Sequence, residues 1–310
     1  MKGPSRFQIS AFAAVLCLAA QAQVVTQLGK ENMRIPVGER PSPGVEPTTT
    51  RPCHVETDST AAYYQLADSA QIHASVGQWA EAERCLRAAL ASDPDNDTNA
   101  LLLSNLGTVQ RRQGHLDDAL RTYNLSIDLT PNAVTLLLNR AALLLEMGRT
   151  AEAEADLERV RTLDASDDES RYSLGMLAVE RHDFARAESL FNEILQFAPR
   201  SALANEGLGL MYKEQGKHAR AIERLSAAID AHADARLLAN RADCLLTEKR
   251  LTEAADDIQR ALELDPDDGY LYVLRAKLNK LRWNLDDAAR DIDEAVNHGV
   301  ERMVAEKLLK

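Results

Sequence analysis

The sequence predicts an all-α chain: an α-solenoid of seven helix-turn-helix units closed by a C-terminal capping helix. Three observations carry that expectation. A pattern of small and large apolar residues returns at steps of 37, 34, 34, 34, 33 and 34 residues. Inside each copy the pattern advances by four and then three residues, which keeps it on one face of a helix. Glycine and proline stand between the helical stretches, at the places where a helix has to stop. Length and charge narrow the field further. The chain has 310 residues with 36 Lys and Arg against 48 Asp and Glu, a net charge of −12. Such an acidic balance argues against a nucleic-acid partner and against electrostatic docking on an anionic membrane.

Residues 1–22 read as a secretory signal peptide. Lys2 and Arg6 precede the apolar run Ala11 to Ala20, and Ala20-Gln21-Ala22 places small residues two apart for cleavage. Ten apolar residues are too short for a membrane span, which needs about 20. The expectation is an exported protein, periplasmic or extracellular, with no membrane insertion once the signal is removed. Residues 23–59 carry Pro36, Pro41, Pro43, Pro47 and Pro52 and read as a flexible Pro-rich linker.

Residues 60–302 hold the repeats, near 63–96, 100–133, 134–167, 168–201, 202–234, 235–268 and 269–302. One position is always alanine: Ala82, Ala119, Ala153, Ala187, Ala221, Ala254 and Ala288. Twelve residues earlier stand Ala70, Gly107, Ala141, Gly175, Gly209, Ala242 and Ala276. Four residues after the alanine come Leu86, Tyr123, Leu157, Phe191, Leu225, Ile258 and Ile292. Small side chains let two helices approach closely, and the large one fills the space beside them. Gly77, Gly114, Gly148 and Gly216 mark the turn within four of the units, and Pro94, Pro131, Pro199 and Pro266 mark the exits. One pair of helices cannot bury both its faces, so the units are expected to stack. In the tail, residues 300–310, apolar side chains at 300, 303, 304, 308 and 309 form one helical stripe. It reads as the cap that a terminal repeat requires, with a segment swapped onto a second copy as the alternative.

The period, the Leu106-Gly107, Leu174-Gly175 and Leu208-Gly209 pairs, the recurring alanine, the Tyr123/Phe191 position and the terminal prolines resemble the tetratricopeptide repeat (TPR) family, in an exported bacterial-type form. The resemblance implies a right-handed superhelix whose first helices line a concave groove, and a protein or peptide segment as the ligand. The copies depart from the pattern where Arg171 and Asn205 replace a large apolar residue and where Trp283 replaces the turn glycine.

No catalytic constellation emerges, so a non-enzymatic scaffold with no cofactor and no metal is expected. His115, His182 and His218 fall in turns without metal-ligand spacing. Asp93-Pro94-Asp95-Asn96-Asp97 lacks the glycine and the closing glutamate of a calcium loop and reads as acids preceding a helix N-terminus. Cys85 and Cys244 fall inside helices and read as small buried apolar residues, while Cys53 is left open to a bridge. Family geometry turns a column of Asp68, Asn105, Asn139, Ser173, Gly207, Asn240 and Leu274 toward the groove. Its amides either grip an extended peptide or bond helix to helix. With Leu138, Tyr172, Met176 and Val179 beside them, Asn105, Asn139 and Asn240 make the candidate peptide-binding groove. Asn139-Arg140 and Asn240-Arg241 resemble the centre of a two-carboxylate clamp, but the flanking Lys and Arg are missing. Two functions follow: a scaffold gripping a protein segment in the groove, or an accessory subunit of a cell-envelope assembly or secretion complex that uses the convex face and the N-terminal arm.

Overall fold

The computed structural model describes residues 59–308. The signal-peptide and linker expectations therefore lie outside the described residues. Within them are fifteen helices: α1 (Ser59–Ser75), α2 (Trp79–Ser92), α3 (Asn99–Arg112), α4 (Leu116–Leu129), α5 (Val134–Glu146), α6 (Thr150–Leu163), α7 (Asp168–Glu180), α8 (Phe184–Phe197), α9 (Ala202–Glu214), α10 (His218–Ala231), α11 (Ala235–Thr247), α12 (Leu251–Leu264), α13 (Gly269–Leu281), α14 (Leu285–Asn297) and α15 (Arg302–Leu308). The chain divides at Ala165 into two compact units, with α1–α6 in the first and α7–α15 in the second. In each unit an odd-numbered helix packs against the even-numbered helix that follows it, and each pair packs on the next.

The recurring columns explain that packing. All seven column alanines are buried, and so are the seven large residues four positions later. A residue three positions further on closes the column: Ala89, Ser126, Val160, Ile194, Ala228, Ala261 and Ala295, each without exposed surface. Glycine in the first helix answers a ring in the second. A Cβ at Gly107 would stand 2.8 Å from Tyr123 Cε1, and one at Gly175 would stand 2.5 Å from Phe191 Cε1. The turn glycines adopt φ of +71° to +79°, and His182, Lys249 and Trp283 take the same left-handed conformation in the other three turns.

The irregular copies close with polar groups. Arg171 is buried and donates to the Asp167 backbone carbonyl at 2.5 Å and to Glu193 at 3.3 Å. Asn205 is buried and donates to the Ser201 carbonyl at 2.9 Å. The acids of the 93–97 loop directly precede the N-terminus of α3, as expected, and Thr98 holds its N-cap position without a side-chain bond. Asn99 ties that loop, donating to the carbonyls of Asp93 (3.1 Å) and Pro94 (2.8 Å) and accepting from the Tyr63 hydroxyl (3.0 Å). In the tail the helix starts at Arg302, and Val300 before it packs against the cluster of Val273, Ala276, Ile292, Ala295 and Ala305. Ala305 is the buried residue of α15, and Met303 points into solvent at 76% exposure. Cys85 is disulfide-bonded, not the inert apolar residue expected; Cys244 is a buried free thiol.

Candidate functional site

The predicted groove residues fall in both units and separate into two groups by burial. In the first unit Asn105, Leu138 and Asn139 are half-buried. Asn139 Nδ2 donates to Ser104 Oγ at 3.3 Å, joining α5 to α3, and Leu138 packs against the cluster of Ile127, Leu136, Leu137 and Val160. On the same two helices Arg111 Nε is paired with Glu146 at 2.6 Å. In the second unit Asn240 is half-buried, but Met176 and Val179 have 0% exposure and Tyr172 has 4%. This corrects the expected groove. Those three are core residues, because α7 is buried on most of its circumference, from Ser170 to Val179 except Ser173.

Tyr172 nevertheless connects to the face it was assigned to. Its hydroxyl donates to Glu206 Oε1 on α9 at 3.1 Å, and Arg236 on α11 pairs with the same oxygen at 2.5 Å. Asn240 Nδ2 then donates to the Arg236 carbonyl at 3.0 Å. Burial first, and then the Glu206 carboxylate, raise the Tyr172 phenol well above its ordinary range. A second group follows along the face. Lys213 Nζ on α9 donates to Asn240 Oδ1 at 2.9 Å and pairs with Asp243 at 3.0 Å. Lys277 on α13 pairs with the other Asp243 oxygen at 3.2 Å. The Tyr270 phenol bonds to Asp243 as well, and burial, outweighing the nearby Lys213, pushes that phenol up to about 12. Burial works against the Asp243 charge, yet the two ammonium groups outweigh it and hold the carboxyl below its usual value.

The amides of Asn139 and Asn240 therefore bond helix to helix, and the charged side chains around them are paired. Glu206, Lys213, Arg236, Asp243 and Lys277 were not singled out from the sequence. Their signal was weak: Tyr172 and Glu206, like Asp243 and Lys277, stand 34 residues apart, but no residue type recurs along the column. The clamp-like arginines are also committed internally. Arg140 makes two bonds to Asp156, at 2.8 and 2.7 Å, and Arg241 makes two to Asp257, at 2.7 and 2.6 Å. Arg275 pairs with one oxygen of Asp291, and Asn279 donates to the other. At the corresponding positions of the fourth copy stand Leu174 and Leu190, both buried. Among the described residues no group of three or more His, Cys, Asp or Glu is placed to hold a metal ion, and no helix is long and apolar enough to cross a membrane.

Residues 104–170, 138–202, 172–219 and 206–269 match a sequence profile described as "Tetratricopeptide repeat", and residues 59–132 match a second profile of the same description. A crystal structure of a tetratricopeptide repeat protein from Parabacteroides merdae is 30% identical with a TM-score of 0.65, covering 80% of this chain and 97% of that one. A DnaJ homolog subfamily C member 7 homolog from Dictyostelium discoideum is 24% identical over 258 residues, 75% of this chain and 48% of that protein. DnaJ homolog subfamily C member 3 from Gallus gallus is 26% identical over 238 residues, 71% of this chain and 46% of that protein. The chain thus spans about half the length of the curated relatives it matches.

Proposed function

The chain belongs to the tetratricopeptide repeat family, and from that premise we propose that it is a non-enzymatic interaction scaffold that holds a protein segment against the first helices of its second unit, outside the cytoplasm. One observation carries the reading. The half-exposed groups Lys213, Arg236, Asn240, Asp243 and Lys277 come from three successive pairs and are already fixed by bonds to one another. A ligand meeting fixed donors and acceptors does not have to order them, which favours binding. Opposite charges are matched within the face, so the segment it suits is one recognised through backbone amides and neutral polar side chains. Asn105, Leu138 and Asn139 offer a smaller polar face of the same kind in the first unit. Export rests on the signal-like residues 1–22.

The test begins with chemical cross-linking of the full chain in its own compartment and identification of the attached segment by mass spectrometry. Cross-links are expected at residues of α9, α11 and α13. The double change Asn240→Ala with Lys277→Ala should then weaken binding of that segment at least about tenfold, as expected of residues at an interface centre. Glu223→Ala, an exposed change on α10, should leave it unaltered. Binding that survives the double change, or is lost on deleting residues 23–47, would transfer the contact to another face or to the arm.

A further inference from the structure

Two triplets of the form Asn-x-Ser/Thr stand in the chain, Asn96-Asp97-Thr98 and Asn124-Leu125-Ser126. That triplet is the acceptor pattern for an asparagine-linked glycan, a bulky group that needs a surface loop. The structure treats the two triplets differently. Asn96 lies in the non-helical stretch between α2 and α3, half-buried, with Asp97 exposed beside it. Thr98 closes a local turn on it: the Thr98 backbone N–H donates to Asn96 Oδ1 at 2.9 Å, and the Thr98 hydroxyl donates to the same oxygen at 2.7 Å. Asn96 Nδ2 donates one hydrogen to Asp93 Oδ2 at 2.9 Å. A primary amide carries a second hydrogen, and no partner among the described residues takes it.

The second triplet is closed to the same chemistry. Asn124 sits within α4, where its Oδ1 accepts from Arg140 Nη1 at 2.8 Å. Ser126 has no exposed surface, and its hydroxyl donates to the Ala100 carbonyl at 2.6 Å. A buried hydroxyl committed to another helix does not reach the amide two residues before it.

We propose that Asn96, and not Asn124, is an attachment site for an asparagine-linked glycan. The assignment rests on the export proposed above. In the transfer, Asn96 Nδ2 forms a bond to the anomeric carbon of a sugar, and the bond from that carbon to the oxygen of a polyprenyl diphosphate breaks. The diphosphate leaves with the electron pair, and the proton lost from Nδ2 passes to a base of the transferase. Thr98 holds the carbonyl end of the amide meanwhile. The hydrogen that is replaced is the one the loop does not use. The bonds to Asp93 and Thr98 therefore survive the modification, and the glycan extends from the α2–α3 loop into solvent.

Translation of the full chain with microsomal membranes, which supply both the transferase and the lipid-linked sugar, tests the assignment. Peptide N-glycosidase in heavy-oxygen water then turns each glycosylated asparagine into a labelled aspartate that mass spectrometry locates. The expected result is label at Asn96 and none at Asn124. Thr98→Ala should abolish the label, and Thr98→Ser, which keeps the hydroxyl, should retain it. Chain enclosed by the membranes but without label at Asn96 overturns the site and leaves export standing. Chain left outside them, open to added protease, overturns both. Label at Asn124 equal to that at Asn96, or label that survives Thr98→Ala, overturns the proposal as well.

Discussion

Phe191 shows how single residues set the spacing of this molecule. Its ring lies between two glycines from two different helices: a Cβ on Gly175 of α7 would come within 2.5 Å of the ring, and one on Gly207 of α9 within 2.4 Å. One side chain thus fixes how closely α8 approaches its own partner and the first helix of the next pair. Adding a methyl group must displace the ring or the helix, and the core holds no space to receive either. Gly175→Ala is expected to destabilise the protein by about 1–3 kcal/mol in chemical denaturation. Phe191→Leu in the same chain should recover part of that loss, since the two changes share one contact. Additive losses would mean that the ring and the glycine do not compete for space. Gly175 was legible in the sequence because its column is always Ala or Gly. Gly207 was not, because its own column holds Asp68, Asn105 and Asn139, and only the adjoining ring makes glycine necessary there.

Helices and turns were legible to different degrees. Where a small residue recurs in every copy, as at Ala82 through Ala288, the second helix is fixed by one repeated physical demand. Burial of α7 was not legible, because Tyr172, Met176 and Val179 look alike whether a helix shows one face or nearly all of them to protein. The Arg–Asp ties at a spacing of 16 also escaped notice, since three copies have them and the rest replace them with other pairs. The turn of α13 and α14 departs most from the pattern. Trp283 adopts φ of +64° where four copies use glycine, and its side chain is 85% exposed. A left-handed conformation is unfavourable for a residue with a Cβ, and this side chain has no burial to offset it. Trp283→Gly should therefore raise stability by about 0.5–1 kcal/mol, seen as a midpoint about 1–4 °C higher in a thermal melt. A lower midpoint would show that the indole supports the fold despite its exposure.

Across the whole molecule, the response to pH follows from where titratable groups are buried. On the acid side the shifts oppose one another. Arginine and glutamine bonds hold Glu83 below its usual value against burial, and paired lysines do the same for Asp243, while burial raises Asp68, Asp168, Glu169 and Asp268. On the alkaline side they agree. Burial raises Tyr123, Tyr172 and Tyr270 and pushes the Cys244 thiol up to about 11. Lys213 is raised too, because Tyr270 and Asp243 outweigh its own burial. A raised value means that the folded chain holds protons the unfolded chain has released, so stability is complete below the unfolded value and declines as pH rises toward the folded one. Thermal midpoints should therefore fall steadily from about pH 9, where an unfolded thiol ionises, to about pH 12, where Tyr270 does so in the folded chain. Tyr270→Phe removes one contributor without removing the ring. Its midpoint should fall less than that of the unchanged protein between pH 10 and 12, with tyrosinate absorbance measured alongside. Parallel curves for the two proteins would mean that Tyr270 ionises as freely in the fold as in the open chain, which its burial beside Asp243 forbids.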